Sequence, residues 1–282
     1  MGSVHAVDKA GSTYFYFDPV VLRARAQELR ASYMSADPFP HVVIDDFLPP
    51  EVLEPILEEF PGPKDLKWET FKNPAEVKLA SNQEPLLGPC TRHLLAQFNS
   101  QTMCEFLETL TGISGIIPDP WFWGGGLHQI QPGGFLKIHA DFNKHKTLGI
   151  DRRLNLLLYL NKDWKEEYGG HLELWDKQMQ RCVKRVLPVF NRVVVFSTND
   201  DSYHGHPVPL TCPPDRCRRS MALYYYTQGR PAEEVSQDHT TLFKERPGEH
   251  FELVKTATRV VKKFVPPIVL DVARTLRGDK RD

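Results

Sequence analysis

Short apolar segments follow one another through the middle of the chain, and residues that favour turns separate them. The segments are 126–131, 135–140, 153–161, 171–175, 183–187, 192–197 and 217–227, with Gly, Pro, Asn and Asp between them. Many short strands with frequent turn signals are typical of antiparallel sandwiches and barrels. Pro132-Gly133-Gly134 supplies the backbone angles of a hairpin turn between the first two segments. The spacing therefore predicts a mainly β core.

The first third of the chain predicts helices around that core. Asp18 followed by Pro19 is an N-cap with proline at the first helical position, so a helix is expected from Pro19 to about Tyr33. Apolar residues at helical spacing and a terminating glycine indicate further helices downstream. The other expected elements are a short strand at 41–44, a helix at 50–60, and two helices within 86–110 that break near Asn99-Ser100 and stop at Gly112.

After Arg230 the strands are expected to stop. Apolar residues between 251 and 264 trace one face of a helix, and a last short helix rich in Arg and Lys is expected beyond them. We therefore predict an α+β chain, mainly β with flanking helices, that forms a single compact catalytic domain. Its expected parts are an N-terminal helical segment at 1–115 that supports the core, the core itself at 116–230, and a C-terminal helical appendage at 231–282.

Composition excludes several classes of function. The chain has 282 residues, of which 41% are hydrophobic, so it can bury a substantial core. Its net charge of −1 gives no electrostatic support for a nucleic-acid partner. Five cysteines without paired spacing argue against a disulfide framework, and no apolar stretch approaches the length of a transmembrane helix. A cytoplasmic enzyme or binding protein is expected, of an oligomeric state that the composition does not indicate.

The pair that indicates chemistry is His139 and Asp141, one residue apart at the end of the second segment. Because a strand turns every second side chain to the same face, the imidazole and the carboxylate emerge together. Two histidines and one carboxylate on one side of an ion, with the other positions open, is the ligand set of non-haem Fe(II) oxygenases. A third ligand would have to come from a strand folded back beside the pair.

Two histidines downstream are candidates for this third ligand. His204 and His206 share a face if residues 202–207 are extended. We prefer His204, because Gly205 behind it permits close backbone approach and Pro207 makes His206 the strand terminus. His206 remains the alternative.

The last apolar segment begins with a candidate carboxylate clamp. Alternation places Arg218 and Ser220 on one face of the strand and Arg219 on the other. A guanidinium and a hydroxyl two residues apart, turned inward on a barrel strand, can hold both oxygens of a carboxylate. The shared face with Ser220 favours Arg218, and Arg219 remains the alternative.

Three of these motifs resemble those of the 2-oxoglutarate- and Fe(II)-dependent dioxygenases and occur in the same order as in that family. They are the histidine–aspartate pair, the His204 segment and the Arg-x-Ser pair. Residues 151–164 and 169–175 are similar to its prolyl 4-hydroxylase-like branch. The similarity covers about residues 120–228, with five separate motifs in register. It implies a double-stranded β-helix, or jelly roll, as the core.

The resemblance also implies an activity and its cofactors. Fe(II) would be held by His139, Asp141 and His204, and 2-oxoglutarate would chelate the iron and leave one position for O2. Ascorbate is a further candidate cofactor. The residues implied for binding of 2-oxoglutarate are Arg218, Tyr159, Ser220 and Asn155. The expected reaction is hydroxylation of a substrate with release of succinate and CO2.

The sequence leaves the substrate open. A peptidyl residue, an amino acid or a small metabolite would each suit the family, and the loops at 61–85, 142–151 and 228–250 carry no motif that identifies a ligand. Trp121 and Trp123 precede a glycine run at the expected barrel entrance, where they either line a cleft or pack in the core. A non-catalytic jelly roll that binds a sugar or metabolite is the alternative function.

Overall fold

The structure, a computed structural model, describes residues 14–250. The helices are α1 (Pro19–Met34), α2 (Pro50–Glu59), α3 (Pro89–Phe98) and α4 (Gln101–Thr111). The strands are β1 (His41–Ile44), β2 (Glu69–Asn73), β3 (Glu76–Ser81), β4 (Ile117–Pro118), β5 (Gly126–Ile130), β6 (Phe135–Ala140), β7 (Asp151–Tyr159), β8 (Leu172–Trp175), β9 (Cys182–Val186), β10 (Arg192–Ser197), β11 (His204–His206), β12 (Arg218–Thr227) and β13 (Leu242–Phe243).

Local sequence sets the ends of the helices. The Asp18 carboxylate accepts hydrogen bonds from the N–H groups of the first turn of α1, the shorter of them 2.8 Å long. Ser100 caps α4 by accepting a hydrogen bond of 3.3 Å from the N–H of Met103. Gly112 ends α4 in the left-handed conformation, with φ of 76°, which glycine adopts without steric penalty. These helices lie where the sequence predicts them.

The strands form one antiparallel sheet in the order β1-β10-β7-β12-β5-β3-β6-β11-β8-β9. β2, β4 and β13 pair with β3, β12 and β6 beside this path. Most neighbouring strands in this order are distant in sequence, as where β7 lies between β10 and β12, whereas β8 and β9 are consecutive. The predicted jelly-roll core is confirmed.

The helices and one face of the sheet enclose the main hydrophobic core. Its members include side chains of all four helices and the residues of β7 at positions 154, 156 and 158, which are at most 2% exposed. The alternate residues of β7, Asn155 and Leu157, line a cavity on the opposite face. Each fully buried aliphatic side chain stabilises the fold by about 1.5–3 kcal/mol. The hydrophobic core therefore packs against the face of β7 opposite the cavity and stabilises the cavity wall.

Register shifts in the pairing of β7 and β6 interrupt the alternation of side chains beside the cavity. Between β12 and β7 the register shifts after the pair Tyr225–Leu154, so that Arg153 is an extra residue on β7. Between β11 and β6 it shifts from the pair His204–His139 to the pair His206–Leu136. Where one strand has an extra residue, two side chains separated by three positions in that strand point to the same face of the sheet.

Two parts of the fold differ from the prediction. The expected loop at 61–85 contains the β2–β3 hairpin, and β3 pairs with both β5 and β6. Strands were expected to stop after Arg230, but β13 pairs with β6 and sets Phe243 opposite His139. Both were missed because β2 has an almost fully exposed, polar sequence and β13 has only two residues.

Of the described residues, those from 14 to 248 belong to one compact unit. The division of the chain predicted at residues 115 and 230 stays a prediction, and the helices predicted after residue 250 lie outside the described residues. Over the described range, no helix is both long enough and apolar enough to cross a membrane.

Candidate active site

The three candidate metal ligands converge on two neighbouring strands. The register sets His139 of β6 opposite His204 of β11, with their ring centres 4.5 Å apart. Asp141 Oδ1 lies 3.6 Å from His139 Nε2, and its Oδ2 lies 3.4 Å from His204 Nε2. Two atoms bonded to one ion at about 2.1 Å each lie at most about 4.2 Å apart, so these separations fit ligands of a shared ion.

Hydrogen bonds to the backbone fix the orientation of both imidazoles. His139 Nδ1 donates to the carbonyl of Lys137 and His204 Nδ1 to the carbonyl of Ser202, each over 2.8 Å. Because a carbonyl only accepts, Nδ1 carries the proton and Nε2 presents its lone pair to the cluster. Burial lowers the pKa of His204 to about 4 against the opposing attraction of Asp141, which keeps the lone pair free at neutral pH. The donor set therefore fits a divalent metal.

Close approach of β11 to β6 depends on Gly205. A Cβ atom at this position would lie 2.7 Å from the carbonyl oxygen of Lys137, closer than real side chains come to a backbone atom. The glycine thus brings His204 beside His139.

Asp141 is held by two side chains of β7. Arg152 Nη2 lies 2.9 Å from Asp141 Oδ2, and Asn155 Nδ2 donates to the same oxygen over 2.8 Å. Burial raises the pKa of Asp141, but the guanidinium of Arg152 and the two histidines outweigh it and hold that pKa well below its ordinary value. The carboxylate is therefore charged and fixed in orientation, with Oδ1 near His139 and Oδ2 near His204.

Arg152 is a site residue that sequence reasoning missed. It is 1% exposed, and its guanidinium carbon lies 3.4 Å from the ring centre of Tyr224 and 4.4 Å from that of Phe142. Simple alternation puts Arg152 and Asn155 on opposite faces, but the extra residue Arg153 returns both to the cavity. The only signal for this role in the sequence was the pair of adjacent arginines at positions 152 and 153, at the start of an apolar strand.

Asn155 links Asp141 to Arg152. It lines the cavity, but its Nδ2 donates to Asp141 and its Oδ1 accepts from Arg152 over 3.0 and 2.7 Å. Both ends of the amide are thus occupied within the protein. Asn155 thus positions the carboxylate of Asp141, and its contact with 2-oxoglutarate stays a prediction.

Arg218 is a buried cation in the same cavity. It is 4% exposed, its Nε donates to the carbonyl of Gly170 over 2.8 Å, and its Nη2 donates to the hydroxyl of Tyr159 over 3.3 Å. Among residues 14–250, no carboxylate pairs with this guanidinium, and burial lowers the pKa of Arg218. An unpaired buried charge is unfavourable, so the site fits an anionic ligand group.

The other residues predicted around 2-oxoglutarate lie in one row across the sheet. Ser220 of β12 is opposite Tyr159 of β7 on one side and His128 of β5 on the other. Arg219 lies on the opposite face, where its guanidinium carbon is 5.0 Å from the ring centre of Phe60. Of the two arginines left open by the sequence, Arg218 is the one that faces the cavity.

A cavity of about 330 Å³ contains these groups. Its wall combines the metal cluster with Arg218 and Ser220 on one side and aromatic rings of Phe142 and Tyr224 on another. Trp123 also lines the cavity and is 37% exposed, so it marks an opening to solvent. Trp121 is 60% exposed at the surface. His206, the alternative third ligand, lies in the cavity wall but outside the cluster of ligand atoms.

A jelly roll whose cavity contains a His-Asp-His cluster and a buried arginine without a carboxylate partner among the described residues has the arrangement expected of 2-oxoglutarate- and Fe(II)-dependent oxygenases. Residues 125–226 match the model of the 2OG-Fe(II) oxygenase superfamily, the family that the motifs resemble. Fe(II), 2-oxoglutarate and O2 are the cofactors of this family.

Individual relatives agree with this assignment. The chain is 28% identical over 107 residues to mouse (Mus musculus) prolyl 3-hydroxylase OGFOD1, a match over 33% of this chain and 20% of that protein. The chain thus spans only about a fifth of the length of this curated relative. A prolyl 4-hydroxylase of Pseudomonas putida superposes with a TM-score of 0.50 at 16% identity, over 72% of this chain and 100% of that one. A Trichoplax adhaerens prolyl hydroxylase, solved with a peptide fragment of hypoxia inducible factor, superposes with a TM-score of 0.52 at 16% identity, over 73% and 91% of the two chains.

Proposed function

We propose that the protein is a dioxygenase that hydroxylates a substrate with release of succinate and CO2. One observation carries the proposal: a single cavity contains both the His139, Asp141 and His204 cluster and the buried Arg218, which has no carboxylate partner within residues 14–250. A metal site alone would suit many metalloproteins. The added unpaired cation calls for an acidic ligand next to the metal, which is what 2-oxoglutarate provides.

In this proposal, His139, Asp141 and His204 hold Fe(II). Bound Fe(II) together with 2-oxoglutarate and O2 supplies the oxidising power, with one oxygen atom entering succinate and the other the C–H bond of the substrate. The protein orients the metal ligands through the backbone carbonyls, Arg152 and Asn155. The buried walls of the cavity exclude bulk water from the reacting groups.

Arg218 and Tyr159 hold the far carboxylate of 2-oxoglutarate, with Ser220 as a further contact. The hydrogen bonds of Arg218 to Gly170 and Tyr159 leave Nη1 for this carboxylate. The Tyr159 hydroxyl accepts from Arg218 and so retains its own proton to donate. The three groups together offer a fixed set of donors to an acceptor-only ligand group.

The substrate enters past the aromatic side of the cavity, where Trp123, Phe142 and Tyr224 lie. A peptidyl residue, an amino acid or a small metabolite fits this description. The mouse relative is a prolyl 3-hydroxylase, which makes a prolyl residue the first class to test. The cytoplasmic location inferred from the composition stays a prediction.

Succinate formation tests the proposal. The purified protein is incubated with Fe(II), 2-oxoglutarate and O2, and succinate is measured with and without candidate substrates. We expect turnover that requires Fe(II), is lost in His139→Ala, and is retained in the control His93→Ala, whose ring lies on helix α3 and contacts the carbonyl of Tyr14. A non-catalytic binding jelly roll would form no succinate under any of these conditions, and that result would refute the proposal.

A further inference from the structure

His206 is a buried histidine that the metal cluster does not use. It is 3% exposed and lines the cavity, and neither Nδ1 nor Nε2 has a hydrogen-bond partner within residues 14–250. Buried polar groups in folded proteins are almost always paired, so two unpaired nitrogens on one ring indicate a partner that comes from outside the protein. The partner is a ligand or water in the cavity.

The sheet register places His206 on the side of the cavity where Arg218 lies. β11 pairs with β8 through His204–Leu174 and Gly205–Glu173, and one further step along this register sets His206 beside Leu172. Gly170, two residues before Leu172, accepts the hydrogen bond of Arg218 Nε. Because paired strands lie about 4.8 Å apart, the imidazole and the guanidinium face the same part of the cavity.

The polar groups in this part of the cavity are mainly donors. Arg218 has a free Nη1, and Tyr159 retains its hydroxyl proton. Whatever its charge, the ring of His206 carries at least one N–H. A carboxylate accepts about four hydrogen bonds and donates none, so it complements this set better than a second donor would. The aromatic residues that face the substrate, Trp123 and Tyr224, are not part of it.

We propose that His206 donates a hydrogen bond to the far carboxylate of 2-oxoglutarate, beside Arg218 and Tyr159, and so helps to select this cosubstrate. The inference rests on the proposed function and extends it to a residue that the metal cluster leaves without a role. It also explains why the two histidines of β11 face the same cavity: His204 serves the metal, and His206 serves the cosubstrate.

Calorimetric titration of the full chain loaded with Mn(II) in place of Fe(II) tests the inference without turnover. Wild type, His206→Leu, His206→Gln and the control His93→Leu are titrated with 2-oxoglutarate and with 2-oxopentanoate, which lacks the far carboxylate. Mn(II) affinity is measured separately without either acid. His206→Met is made in parallel, because its flexible side chain adapts to the site if leucine prevents folding.

We expect His206→Leu or His206→Met to weaken binding of 2-oxoglutarate about 10- to 100-fold, as for one hydrogen bond to a charged group. His206→Gln, which keeps an N–H donor, recovers part of this loss, and His93→Leu binds as wild type does. Binding of 2-oxopentanoate and of Mn(II) stays within about twofold of wild type for every His206 variant, since neither contact involves this ring.

Three results would overturn the inference. Unchanged affinity of the His206 variants for 2-oxoglutarate would show that the ring contacts water only. An equal loss of affinity for 2-oxopentanoate would show that the far carboxylate is not the partner of the ring. A loss of Mn(II) affinity would make His206 a metal ligand. Each of these leaves the proposed function standing if wild type forms succinate. A wild-type protein that neither binds nor turns over 2-oxoglutarate would refute both proposals.

Discussion

Replacing Arg218 by methionine separates a binding role from a structural one, because the two roles predict opposite results. Removal of the guanidinium takes away the hydrogen bonds to Gly170 and Tyr159, which are worth about 1.5–3 kcal/mol each when the donor is charged. It also removes a buried charge without a counter-ion, whose burial costs several kcal/mol. The two effects offset each other, so we expect the unfolding free energy without ligand to change by at most about 2 kcal/mol.

The effect on binding is much larger. Truncating one partner of a buried charge pair costs about 2–5 kcal/mol, which corresponds to about 30- to 4,000-fold weaker binding of 2-oxoglutarate. A ligand at 100 times its Kd stabilises the folded state by about 2.7 kcal/mol. At a 2-oxoglutarate concentration of 100 times the wild-type Kd, wild type loaded with Mn(II) should gain this amount in urea unfolding, and Arg218→Met should gain at most about 0.9 kcal/mol.

Arg219→Met is the matched control, since Arg219 is adjacent in sequence but packs on Phe60 at the other face of the strand. It should lose less than about twofold in affinity for 2-oxoglutarate, a difference that calorimetry resolves. If Arg219→Met lost the stabilisation by 2-oxoglutarate while Arg218→Met kept it, the assignment of the carboxylate site would be wrong. Loss of folding in Arg218→Met would likewise contradict the reasoning about an unpaired charge.

Two further predictions concern other residues of the cavity. Burial lowers the pKa of His128 to about 3, so between pH 6.5 and 3 the unfolded chain binds a proton that the folded chain does not. The contribution of His128 to stability is complete above pH 6.5 and is lost by up to about 1.4 kcal/mol per pH unit as the pH falls. Urea unfolding at pH 7.5 and 4.5 should therefore show a smaller difference in unfolding free energy between the two pH values in His128→Leu than in wild type. An equal difference in the two proteins would contradict the assignment. Asn155→Ala should weaken Mn(II) binding about 10- to 100-fold, as for other residues that hydrogen-bond metal ligands. Binding of 2-oxoglutarate at saturating Mn(II) should stay within about threefold of wild type. The reverse pattern in calorimetry would make Asn155 a cosubstrate contact.

Sequence patterns predicted the elements whose signal is local. The cap at Asp18, the helix stop at Gly112 and the strands that alternate with turn residues lie where expected, since each depends on neighbours in the chain. The spacing of His139 and Asp141 also follows from strand geometry alone. The family resemblance added the jelly roll and the order of the motifs.

The parts that were missed depend on pairing between distant segments. Arg152 reaches Asp141 only because Arg153 is an extra residue opposite β12, and a single sequence does not show where two strands lose register. Alternation placed Asn155 on the correct face but could not show that its amide is occupied by Asp141 and Arg152. The β2–β3 hairpin was missed for a related reason, as its polar sequence is stabilised by pairing with β5 and β6.

The register shifts on β7 and β6 connect the fold to the site. A regular strand can turn only alternate residues inward, yet the cavity needs Arg152 and Asn155 together on β7, and Leu136 and His139 together on β6. One extra residue in each strand meets this need without disturbing the hydrophobic core behind the sheet. The result is a wall in which, among residues 14–250, the guanidinium of Arg218 has no carboxylate partner and the ring nitrogens of His206 have no hydrogen-bond partner, both unfavourable in the free protein. Because the proposed binding of a carboxylate would relieve both, the same residues that weaken the free fold should make its stability depend strongly on ligand.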